Sequence, residues 1–149
     1  MDKSVPHIKQ SGNIYFWKYK TDGWLGSEWH CTADSGACKF LILLFDHMEH
    51  SEFLCEPVIA LTPVTQDILR IPDYDSPYKN MTELHLIYQP FAPNYYDWHI
   101  ADNKTAVETF FGKAMLAEWK RAVMNVDQGI GNFSIGLNED HIIFFWCPP

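Results

Sequence analysis

The sequence predicts an α+β fold: a mainly antiparallel sheet of about six strands with two principal helices packed on it. Three observations carry this. Short runs change side every residue, as in "TELHLIYQP", where Leu84, Leu86 and Tyr88 alternate with His85 and Ile87. Two longer runs repeat their apolar residues at the period of a helix face. A chain of 149 residues, 47% hydrophobic and 15% aromatic, is long and apolar enough for one domain spanning 1–149 with a real core.

The elements follow in order. "NIYFWKYK" predicts a first strand over 13–20, with aromatics interleaved with lysines. "TDGWLG" is a turn, and "SEWHC" is a short second strand. "TADSG" offers Asp34 or Ser35 as the N-cap of a helix from about 36 to 50. There Ala37, Phe40, Leu41, Leu44, Phe45 and Met48 share one face. Ile42 and Leu43 widen that face, so the helix is expected to be deeply buried. "EPVIALTP" reads as a strand, "QDILRIP" as a short piece and "DYDSPYKN" as a loop. The strand in "TELHLIYQP" then leads into the connection "FAPNYY", rich in proline and tyrosine.

"TAVETFFGKAMLAEWKRAVMNV" admits two readings. One long helix would put Glu118 in the apolar stripe and Gly112 in the interior, the latter at about 1 kcal/mol relative to alanine. Breaking the segment at Gly112 removes both conflicts. "DWHI" and "AVETFF" then form a hairpin around "ADNK". A helix from about 113 to 127 carries Met115, Leu116, Trp119, Ala122, Val123 and Val126 on one stripe. "NFSIGL" and "HIIFFW" close the chain as two strands joined by "NED".

"NVDQGIGNFSIG" holds three glycines, but it is no phosphate loop. Such loops follow a strand and open a helix, whose first amides face the anion. Here a helix precedes Gly129, so the loop meets free carbonyls and the carboxylate of Asp127. Gly129 is expected to be the left-handed residue that stops the helix.

The net charge of −8 is localised. Ten acids and two bases lie between Asp46 and Asp102, and the rest of the chain is balanced. This disfavours nucleic acid as a direct ligand and favours a basic protein partner. The N-terminus, "MDKSVPHIKQSGN", carries no apolar secretory run, and "FLILLF" is far too short to span a membrane. A cytoplasmic protein is therefore expected.

Nucleophile-elbow and base-deaminase patterns do not occur in the sequence. No cofactor is expected. His47 and His50, with Cys31, Cys38 and Cys55 nearby, give an alternative reading as a metal-binding or enzymatic module. Against it, the chain has no C-x-x-C pair and no standard zinc spacing. A further alternative is a structural homo-oligomeric domain whose aromatics associate with each other.

Tyrosine and aspartate recur together in two loops, "DYDSPY" and "NYYDW". Tyrosine supplies rigid contact area with a polar tip, and carboxylates steer basic partners. Asp73, Tyr74, Asp75, Tyr78, Tyr95, Tyr96 and Asp97 are therefore the expected partner-binding residues.

The C-terminal half pairs an amphipathic helix with "DQGIGNFSIG" and the aromatic strand "HIIFFW". It resembles small bacterial proteins with a G-x-G-[DN]-[FY]-x-[IL]-G stretch before a tryptophan-rich end strand. Small acidic domains of that kind are similar to immunity proteins that accompany interbacterial toxins. The resemblance implies a class and no functional residue: a protein that neutralises a cognate toxin by binding it. The acidic balance agrees with a basic toxin as partner.

Overall fold

The computed structural model describes residues 8–19, 28–71, 78–130, 133–136 and 141–148. Among the described residues nine strands fall into two sheets. The first contains β1 (Ile14–Tyr19), β2 (Trp29–Ala33), β4 (Tyr78–Asn80), β8 (Phe133–Ile135) and β9 (Ile143–Phe145), in the order β4-β1-β2-β9-β8. The second contains β3 (Val58–Ala60), β5 (Glu83–Tyr88), β6 (Trp98–Asn103) and β7 (Ala106–Phe111), in the order β3-β5-β7-β6. The helices are α1 (Ser35–Glu49), the short α2 (Gln66–Leu69) and α3 (Lys113–Asp127).

The α+β class and the two principal helices are as the sequence predicts. The strands, however, divide into two sheets instead of one sheet of about six. Most neighbours are antiparallel, but β2 runs parallel to β9 and β5 parallel to β7. Residues 78–80, expected as loop, pair with β1 at the edge of the first sheet.

Each helix follows from local chemistry. Asp34 caps α1 by accepting the Ala37 amide at 3.0 Å, and the six apolar residues of the expected face are all buried. Leu43 departs from expectation: it is 56% exposed, so the buried stripe is narrower than the apolar run. The stripe of α3 is buried at every expected position. Gly129, at φ +77°, ends α3. Its amide donates to Val126 O, and the Ile130 amide reaches back to Asn125 O at 2.8 Å. These two bonds are the paired closure of a Schellman stop.

Strand β1 shows why the aromatics of "NIYFWKYK" are so dense. Ile14 and Phe16 face a core shared with α1 and α3, while Trp17 and Tyr19 face Val64, Ile68 and Leu69 on the other side. The first sheet is covered on both faces, and every residue of β2 is buried. The second sheet turns Leu84, Leu86, Tyr88, Val107, Phe111, Trp98 and Ile100 into the same main core. The two long helices pack on each other, and α3 also touches β2, β7, β8 and β9. Phe45, Phe111 and Phe145 surround Trp119 at ring separations of 5.6–6.3 Å.

Candidate functional site

The connection from β5 to β6 is built to hold aromatic rings in water. Gln89 donates its amide to Phe111 O, which keeps the chain beside β7 as it leaves β5. Asn94 N then bonds Phe91 O at 2.7 Å, and Asp97 N bonds Asn94 O at 3.2 Å, closing a one-turn 3₁₀ helix, Asn94–Tyr96. That turn packs against α3. Gly112 donates its amide to Asp97 O, and a Cβ at Gly112 would fall 1.6 Å from Asn94 O. The absent side chain is what allows this approach. With the backbone fixed below, Tyr95 and Tyr96 project outward, 45% and 71% exposed, their rings edge to face at 4.8 Å.

A second segment runs beside this one. Cys55 and Tyr88 exchange both backbone hydrogen bonds, at 3.0 and 2.8 Å. This ties the chain after α1 to the end of β5. Ser51 Oγ accepts the Phe53 amide at 3.0 Å and shapes the bend there. Phe53 and Leu54 are exposed. Among the described residues nine large hydrophobic side chains are exposed, and five of them (Phe53, Leu54, Phe91, Tyr95 and Tyr96) belong to these two segments. Apolar exposure is thus concentrated at one end of the second sheet, as a contact surface requires.

A cleft of about 270 Å³ opens between the last turn of α1 and the first turns of α3, lined by Glu49, Tyr88, Lys113, Leu116 and Ala117. Tyr88 is 0% exposed, and its hydroxyl finds no hydrogen-bond partner in the structure. Burial, with smaller contributions from Cys55, Glu49 and Tyr95, pushes its pKa up to about 12. It is therefore a neutral phenol at pH 7, able to donate or accept. Beside the cleft, Lys120 of α3 pairs with Asp46 and, at 3.3 Å, with Glu49 of α1. The Asp46 hydrogen bond is the main reason the lysine's pKa is raised.

His47 and His50 line a separate hollow of about 330 Å³ with Ser51, Glu52 and Phe53. His50 Nδ1 lies 2.8 Å from Asp46 O, so that nitrogen carries the proton. Among the described residues no three His, Cys, Asp or Glu side chains are grouped to hold a metal ion. Cys31, Cys38 and Cys55 are buried free thiols. Burial raises the Cys38 pKa to about 12 and that of Cys31 further, which keeps both protonated.

The residues expected from the sequence to bind a partner are not gathered into one place. Asp73, Tyr74 and Asp75 lie outside the described residues. Tyr78 opens β4 and pairs with Tyr19. Its neighbour Lys79 forms an ion pair with Asp102, near the β6–β7 turn. Tyr95, Tyr96 and Asp97 lie at the opposite end of the second sheet, about 20 Å away by the six-residue length of β5. Sequence reasoning missed Glu49, Phe53, Tyr88 and Phe91. Tyr88 fits its strand alternation like any core residue, and nothing local marks its hydroxyl as unpartnered. No helix among the described residues is long and apolar enough to cross a membrane. Comparisons with protein-family models, curated proteins and solved structures found no match to this chain.

Proposed function

We propose that this protein is an immunity-type inhibitor, which binds and neutralises a cognate, basic interbacterial toxin in the cytoplasm. The contact surface is the end of the second sheet that carries Tyr95, Tyr96 and Asp97. One observation carries the reading: two exposed tyrosines stand on a turn whose backbone is pinned against Gly112. Rings displayed on a fixed backbone lose little freedom on binding, and tyrosine is enriched among the residues that dominate interface energies. The rim supports it, since Glu49, Glu52 and Asp97 belong to the segment that carries the net charge of −8. That charge would speed encounter with a basic partner.

The test uses the polypeptide encoded beside this chain's gene. Binding is followed by surface kinetics, and protection by growth of cells expressing both proteins. The wild-type chain is expected to bind at nanomolar affinity or tighter. Tyr95→Ala with Tyr96→Ala should weaken binding about 100-fold or more and abolish protection. Full protection by that double variant would refute the reading.

A further inference from the structure

The cleft beside the exposed tyrosines has chemistry that the contact surface alone does not use. A fully buried hydroxyl without a partner keeps unused hydrogen-bonding capacity, and native structures rarely tolerate that without a reason. Tyr88 is one wall of the cleft, and Glu49, half exposed, is another; one Glu49 oxygen, Oε2, pairs with Lys120 at 3.3 Å, which leaves Oε1 for a further donor. Leu116 and Ala117 supply an apolar wall. Lys113 is exposed at the rim, where its ammonium can remain in water.

We infer that this cleft is a socket for one arginine side chain of the partner, its guanidinium set between the Glu49 carboxylate and the Tyr88 hydroxyl. The inference rests on the immunity-type reading for the source of the arginine, a basic protein. The chemistry favours arginine over other occupants. A guanidinium offers five donors in a planar fork, enough to serve a carboxylate and a phenolic oxygen together. Its weaker hydration suits a recessed site better than the ammonium of lysine. Its three methylenes match the Leu116 and Ala117 wall.

The probe is N-acetyl-arginine amide, titrated into the full chain while the backbone amides are followed by NMR. Saturable millimolar binding is expected, with the largest shifts at Leu116, Ala117 and Glu49. Tyr88→Phe and Glu49→Gln should each weaken it about tenfold. The neutral isostere N-acetyl-citrulline amide should bind at least tenfold more weakly. The proposal is overturned by absence of saturable shifts at those residues, by equal binding of the citrulline probe, or by unchanged affinity in both variants. It is also overturned if both variants bind the neighbouring-gene protein at wild-type strength. If the Tyr95/Tyr96 double variant still loses that binding, the inhibitor reading survives the failure of the socket.

Discussion

Tyr88→Phe deletes a single oxygen and should make the protein more stable. The hydroxyl is fully buried and unpartnered, so folding removes it from water without replacing its hydrogen bonds. An unsatisfied buried polar group costs about 1–3 kcal/mol. Removing the oxygen recovers that cost, less a small loss of packing where the atom was. The ring stays in place, 5.6 Å from Phe111. A net gain of about 1 kcal/mol is expected, which for a domain of this size raises Tm by roughly 2–4 °C. Urea denaturation with an unchanged slope, together with thermal melts, measures it. A loss of 1 kcal/mol or more would refute the reasoning, because it would mean that the hydroxyl is hydrogen-bonded in solution. Greater stability combined with weaker arginine-probe binding is the pattern of a side chain kept for function at the expense of stability.

High pH should unfold the protein early. The folded-state pKa values of Cys38 and Tyr88 are both raised to about 12, from 9.0 and 10.0. The unfolded chain therefore releases these protons first, and stability falls as pH rises from about 9 towards 12. A drop on the order of 2 kcal/mol or more is expected in that window, read by urea titrations under reducing conditions, and a flat profile from pH 8 to 10.5 would contradict it. Gly112→Ala should cost about 3 kcal/mol or more, since the new Cβ meets Asn94 O, and should displace the tyrosine turn. Gly129→Ala meets open space and should cost only about 1–2 kcal/mol for the left-handed backbone. Equal melting temperatures for these two variants would undo the distinction. Lys120→Met should cost no more than about 1 kcal/mol, with the difference shrinking in high salt, because its ion pairs are solvent-accessible.

The helices were legible in the sequence because their signals are local. Asp34 marks one start, Gly112 and Gly129 bracket the other helix, and each stripe repeats at i, i+3 and i+4. Leu43 misled because an apolar run does not say where its own stripe ends. Strand identities were mostly legible too, through residues such as Leu84, Leu86 and Tyr88. Their partition into two sheets was not. It depends on Trp29–Cys31 pairing with Ile143–Phe145 across more than a hundred residues, and no periodicity encodes that register. The site divides in the same way. Tyr95 and Tyr96 declare themselves in a loop rich in proline and tyrosine. The cleft does not, because Glu49, Tyr88 and Lys113 come from three separate elements and meet only after the helices pack.

The central claim is that the end of the second sheet bearing Tyr95 and Tyr96 binds a basic protein partner. Amide hydrogen exchange on the complex with the neighbouring-gene polypeptide tests it most directly. The account predicts new protection in residues 46–55, 88–97 and 112–117, with little change elsewhere. Failure to form a complex, or protection confined to β4 and the β6–β7 turn, would contradict it.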